Sequence, residues 1–168
     1  MTELIFRSTD ERYGLRISTQ IVDQLANICT ESEGLETGGI LVGVYTAELD
    51  CAIVTEVSGP TRDSVKRPTS FVRGVLGLQG WLNKLWKKER HYFLGDWHFH
   101  PYVKPNPSDQ DIRQTKEIAL SPQYKCPEPI LLIVGGDPLG ELLLGTFVYA
   151  KEQGLIGLAK RSESNKAQ

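Results

Sequence analysis

The sequence predicts an α/β (α+β) fold, a single domain in which a curved, mixed β-sheet is flanked by helices. Three observations predict it. Short apolar, β-branched runs interleave with longer segments of helical period along the chain. Two pairs of those runs are joined by short turns, so hairpins are mixed with crossovers and the sheet is not all parallel. The length of 168 residues suits one domain, which would bury about 70% of its unfolded surface without staples.

Residues 3–7 and 14–17 are β-prone pieces around a polar turn, Ser8 to Tyr13. Residues 19–32 read as a helix, with Ile21, Val22, Leu25, Ile28 and Cys29 on one stripe. Ser18 or Thr19 supplies the N-cap and Gly34 the stop. The apolar run 40–45 fits a buried strand, 46–50 turns the chain, and 51–57 returns it as a hairpin. Residues 58–73 hold two prolines, a glycine and four basic residues, and are expected as an irregular surface loop of a length that often carries function. A helix over 75–88, weakened by Gly77 and Gly80, turns Leu78, Trp81, Leu82 and Leu85 inward and Lys84, Lys87 and Lys88 to water. Strand 92–100, helix 108–120, strand 130–134 and a last strand 142–150 complete the order, with a turn at 135–138. The domain spans 1–160, and the polar tail 161–168 is expected to fray. There is no internal repeat and no linker.

Composition excludes several classes. The net charge of −2 is spread along the chain, with no basic patch or stripe for nucleic acid. No apolar segment reaches the ~20 residues of a membrane span, and Met1–Arg7 is too short an apolar run for a signal peptide. Three unclustered cysteines, Cys29, Cys51 and Cys126, point to reduced thiols in a cytoplasmic protein and rule out a cysteine-built zinc site.

The chemistry concentrates in Gly95-Asp96-Trp97-His98-Phe99-His100-Pro101. In a strand, residues i and i+2 share a face, so His98 and His100 can aim at one point. Pro101 then stops the strand, and Asp111 lies on the first turn of the next helix, able to swing back. Two imidazoles and a carboxylate leave a fourth position open, which is the donor set of a catalytic zinc. Ser108-Asp109-Gln110-Asp111 also fits a capping box, with Asp111 at the positive end of the helix dipole; with the histidines present, Asp111 is better used on the metal, and Asp109 can serve the dipole. Asp96 shares the face of the histidines, as a partner to a ligand imidazole or to a nearby Lys or Arg. His91 is expected at the surface on the opposite face. Cys51 and Cys126 read as small core residues, because no histidine is left to activate them. Phe99, Trp97 and Phe93 are expected to face away from the metal.

His-x-His-Pro, six residues, Ser-x-x-Asp, with Glu36-Thr37-Gly38-Gly39 far upstream, resembles the JAMM/MPN-plus metallopeptidase motif. One departure is Phe99, where the family usually carries Ser or Thr. The resemblance implies a cytidine-deaminase-like three-layer sandwich, the JAB/MPN fold. It implies one Zn2+ per chain on His98, His100 and Asp111, Glu36 as catalytic base and Ser108 as oxyanion donor. Gly38-Gly39 would let another backbone approach beside Glu36. It further implies hydrolysis of the amide bond after the C-terminus of a ubiquitin-like or similarly conjugated protein, with the loop 58–73 bordering the substrate and Lys66, Arg67 and Phe71 as its contacts. The motif stretches look most similar to bacterial JAB-domain proteins, among them the deconjugating protease of CBASS antiphage operons, where the modified protein is a cGAS-like nucleotidyltransferase. The alternatives are a processing peptidase for a ubiquitin-like or sulfur-carrier precursor, and a catalytically silent MPN scaffold.

Overall fold

The computed structural model describes residues 2–162; most of the expected tail lies outside the described residues. The elements run β1 (Glu3–Arg7), β2 (Gly14–Ser18), α1 (Thr19–Glu31), β3 (Thr37–Tyr45), β4 (Cys51–Val57), β5 (Val65–Arg67), β6 (Ser70–Val72), α2 (Leu78–Glu89), β7 (Tyr92–Pro101), α3 (Asp109–Leu120), β8 (Ile130–Gly136), β9 (Leu142–Ala150) and β10 (Gly154–Lys160). Eight strands curl into a closed barrel in the order β1-β10-β9-β8-β7-β3-β4-β2, while β5 and β6 form a separate hairpin. The sheet is mixed, as expected: β2–β4 and β7–β8 are parallel and the other pairs antiparallel.

The main core lies on one face of the sheet. Ile21, Leu25 and Cys29 of α1 pack there with Leu15, Ile17, Leu94, Trp97, Phe99 and Leu132. Ser18 caps α1 by accepting a hydrogen bond from the Ile21 amide at 3.2 Å, as its position before the apolar stripe predicts. On the other face, Leu78 and Leu85 of α2 cover Ile40 and Val42. This face also carries Asp96, His98 and His100, and α3 packs over it against β7 and β9. No helix among the described residues is long and apolar enough to cross a membrane.

Four expectations need correction. Residues 58–73 are not irregular throughout, because β5 and β6 form a hairpin with Lys66 opposite Phe71. Such short strands leave little period to read. Residues 142–150 are not the last strand. Gly154 and Gly157 interrupt the apolar pattern of β10, which draws its order from pairing with β9 and β1. The second helix starts at Leu78 rather than Val75, because Gly77 before it has φ +82°. Lastly, Phe93 does not share the face of Trp97 and Phe99; it packs with Ile40, Val42, Leu78 and Leu85.

The cause of that last reversal is a bulge. The β3–β7 register shifts between Leu41 and Val42, opposite Gly95, so alternation flips and Leu94 rather than Phe93 enters the main core. Gly95 has φ +150°, and a Cβ there would collide with the Ile130 carbonyl oxygen. Gly95→Ala is therefore expected to cost about 3 kcal/mol or more in urea unfolding, well above an ordinary substitution. A cost below about 0.5 kcal/mol would mean that the bulge tolerates a side chain.

Candidate metal centre

β7 brings His98 and His100 to the outer face, and its end at Pro101 hands the chain to a loop that reaches α3. Ser108 starts α3 with a complete capping box. Its hydroxyl accepts from the Asp111 amide at 3.2 Å, and Asp111 Oδ2 accepts from the Ser108 amide at 2.6 Å. Asp111 is also the residue that the histidines meet. His98 Nδ1 lies 2.6 Å from Asp111 Oδ1, and His100 Nε2 lies 3.3 Å from Oδ2. Capping and metal binding were set against each other as uses of Asp111. The geometry makes the two uses compatible: the cap fixes the carboxylate against the end of β7, beside both imidazoles.

One donor atom from each of His98, His100 and Asp111 lies within 4.8 Å of the others, and all three residues are buried. The group passes a chemical test for a cation. His100 Nδ1 donates to the Asn106 carbonyl at 3.1 Å, an acceptor without a proton of its own, so Nε2 is the nitrogen turned to the site. His98 Nδ1 faces a carboxylate oxygen, while its Nε2 is buried without a hydrogen-bond partner. An orphaned imidazole nitrogen beside a buried carboxylate is what a bound metal would satisfy.

Electrostatics follow from this crowding. Burial pushes the Asp111 carboxyl up, but hydrogen bonds from His100, His98 and the Ser108 amide outweigh it and hold the group well below the usual carboxylate range. Burial works against the His100 imidazolium, yet Asp111, Glu36 and the Asn106 carbonyl together raise its pKa. Burial also raises the pKa of Glu36, with Asp111 adding to it and the two imidazoles opposing. A half-buried carboxyl raised toward neutrality suits a base.

Glu36 enters β3 one residue before Thr37, which pairs with Phe99; continuing that antiparallel register sets Glu36 opposite His100. Its amide donates to the Arg67 carbonyl at 2.8 Å, which joins the β5–β6 hairpin to the site. Gly38 makes room as its residue type predicted. A Cβ there would meet the Phe71 ring at 2.8 Å and the His98 ring at 3.0 Å. Lys66 and Arg67 are exposed on the hairpin beside Glu36. Phe71 is not exposed, at 3%, and sets its ring edge-on to His98 with 5.6 Å between centroids, so it supports the imidazole from below rather than offering a surface.

Asp96 takes the cationic partner: Arg73 Nε donates to its Oδ2 at 3.0 Å. His91 lies at the surface but is half-buried rather than open: its side chain is 12% exposed and Nδ1 sits 3.2 Å from the Thr55 hydroxyl. Cys51 and Cys126 are buried free thiols, and burial lifts Cys126 to about 11, too high for a thiolate nucleophile near neutral pH. Asn106 and Arg73 were not singled out from the sequence. Asn106 acts through its main chain, which leaves no residue signature beyond its two flanking prolines, and Arg73 stood among four basic loop residues with nothing to separate it.

A family model described as prokaryotic homologues of the JAB domain matches residues 18–144. The chain belongs to that family. This JAB-domain chain is 38% identical over 156 residues to a "CD-NTase/cGAS isopeptidase" of Enterobacter hormaechei subsp. hoffmannii, covering 93% of this chain and 86% of that protein. It is 25% identical over 134 residues to a "Probable metalloprotease y4qB" of Sinorhizobium fredii, covering 73% and 76%. The solution structure of protein DSY2949 from Desulfitobacterium hafniense superimposes with a TM-score of 0.57 at 18% identity, over 87% of this chain and 88% of that one, and shares the fold. The expected family and fold are both borne out.

Proposed function

We propose that this JAB-domain protein is a zinc-dependent isopeptidase that hydrolyses the amide bond joining the C-terminus of a conjugated protein to an amine. The observation that carries it is the buried His98–His100–Asp111 group with an orphaned imidazole nitrogen, beside a half-buried Glu36. The relatives named CD-NTase/cGAS isopeptidase support a cGAS-like nucleotidyltransferase as the conjugated protein; the antiphage setting of the CBASS kind rests on the resemblance of the motif stretches.

His98, His100 and Asp111 would hold Zn2+. When bound, the ion supplies an open coordination position, a water of pKa near 7 and polarisation of the scissile carbonyl. Glu36 takes the proton of the attacking water and delivers it to the leaving amine. Ser108 donates its hydroxyl to the developing oxyanion, where such a donor contributes about 3–4 kcal/mol. That hydroxyl now donates to Asp111 Oδ2 at 2.8 Å, so it must turn away; the Ser108 amide stays on Oδ2 and keeps the carboxylate oriented. The extended C-terminal tail lies along the β5–β6 hairpin, with Lys66 and Arg67 against its backbone.

The test is cleavage of a nucleotidyltransferase–lysine conjugate by the zinc-loaded protein before and after stripping with a chelator. Cleavage after the terminal residue, lost on stripping and restored by Zn2+, is the expected result. Undiminished cleavage with zinc absent by elemental analysis would defeat the proposal.

A further inference from the structure

Away from the metal centre, α2 ends at Glu89, and Arg90 turns the chain with φ +58° before His91. His91 meets β4 at Thr55 and Glu56. These two are neighbours in sequence, and a regular strand would send them to opposite faces. β4 is not regular there. Glu56 pairs with Val42 and Val54 with Gly43, which leaves Thr55 as the extra residue of a bulge. Both side chains therefore reach the His91 ring. The Thr55 hydroxyl lies 3.2 Å from Nδ1, and one donor atom from each of Glu56, Glu89 and His91 lies within 4.8 Å of the others.

The ring is turned for a cation. The Thr55 hydroxyl gives its proton to the Val42 carbonyl at 3.4 Å, so in the neutral ring Nδ1 donates to Thr55 and Nε2 offers its lone pair. Nε2 faces Glu89 Oε2 across 3.6 Å. That gap is too long for a hydrogen bond. It matches two donors on one ion, because ligands at about 2.0–2.2 Å from a tetrahedral metal lie about 3.3–3.6 Å from each other. Lys88 sets Nζ on Glu89 Oε1 at 3.1 Å and leaves Oε2 to the ring, while Glu56 has no cationic partner among the described residues. Two carboxylates against one exposed lysine leave the spot negative. Glu89 also stands at a helix C-terminus, where the dipole favours a cation and opposes a carboxylate.

We propose that Glu56, Glu89 and His91 form a second metal site, which takes a divalent transition-metal ion such as Zn2+. One imidazole and two carboxylates suit such an ion better than Mg2+ or Ca2+, which take oxygen ligands, and water completes the shell. The ion clasps three elements: β4, the last turn of α2 and the entry to β7. His91 and His98 are seven residues apart, roughly 20 Å of strand, so the two sites do not share an ion. The site takes no part in the proposed hydrolysis. It fastens the end of a helix whose buried residues are Leu78 and Leu85 alone.

The experiment counts zinc on the full chain, free of any affinity tag. With Glu89 35% exposed, the ion exchanges with the medium, so it is read by elemental analysis after dialysis against a tenfold excess of Zn2+, with the dialysate as blank. Asp111→Asn, whose metal centre is broken, should take up one ion per chain and wild type two. Adding His91→Gln to either protein should remove one ion, and adding Glu56→Gln should weaken its uptake at least tenfold. In a long-range 1H–15N spectrum of Asp111→Asn, Zn2+ should shift His91 Nε2 far more than Nδ1. No uptake by Asp111→Asn, or uptake that survives both His91→Gln and Glu56→Gln, overturns the site. Conjugate cleavage bears on the peptidase reading alone, and His91→Gln is expected to leave it unchanged.

Discussion

Glu36→Gln is expected to lower kcat by about 10²–10⁴-fold, the usual contribution of a positioned general base, with zinc content unchanged. The amide keeps the size of the side chain and leaves the backbone bond to Arg67 intact, so the hairpin stays in register with the site. What it removes is the proton acceptor. Because Glu36 is not among the grouped ligands, elemental analysis should return the wild-type amount of metal. Loss of zinc with the activity would instead make Glu36 a ligand, and retained kcat would move the base elsewhere.

Asp111→Ala should abolish both zinc binding and turnover, and should cost about 3–5 kcal/mol in the chelator-treated protein, the usual penalty for removing one partner of a buried ion pair. Two losses coincide: the capping box at α3 opens, and His98 and His100 lose the carboxylate between them. The cost should vary with pH in a set direction. The Asp111 carboxyl is held below its ordinary 3.8, so its contribution is present above that value and lost as pH falls. The His100 imidazolium is held above its ordinary 6.5, so its contribution is complete below 6.5 and lost as pH rises through the folded value. The stability gap between wild type and Asp111→Ala, followed by urea unfolding, should therefore be widest between pH 3.8 and 6.5. A gap that still grows above pH 8 would show that something other than imidazolium holds the carboxylate. Asp111→Asn, which keeps an oxygen for the Ser108 amide, should lose zinc equally but less stability.

How far these features were legible in the sequence depended on the kind of signal. Period and punctuation located α1, β3, β4, β7 and α3, because Ser18, Pro101 and Ser108 act where they stand. The grouping of His98, His100 and Asp111 was legible because strand alternation from His98 to His100 and one helical turn from Ser108 to Asp111 are both local geometry. Phe93 was misassigned because Gly95 marks a bulge only once β3 lies beside it. The β5–β6 hairpin escaped because three-residue strands leave no period to read, and β10 because Gly154 and Gly157 interrupt its apolar pattern. The Arg73–Asp96 pair escaped because its partners are distant in sequence: one leaves the hairpin and the other lies 23 positions on, in β7.

The barrel closes at its weakest join. Among the described residues, β1 and β10 meet through the Phe6–Lys160 and Arg7–Ala159 pairs and the hydrogen bond from the Arg161 amide to the Ile5 carbonyl, whereas β3 and β7 stay paired from Thr37–Phe99 to Gly43–Tyr92. In the ring of eight strands these two joins lie on opposite sides. Opening events start where a structure is held least, so the seam is where this protein breathes, and the strands bearing Glu36 and the two histidines are the last to feel it. The arrangement of Glu36, His98, His100 and Asp111 is thereby insulated from the commonest thermal excursions of the molecule: β1 and β10 can part and rejoin without disturbing the distances among these four side chains.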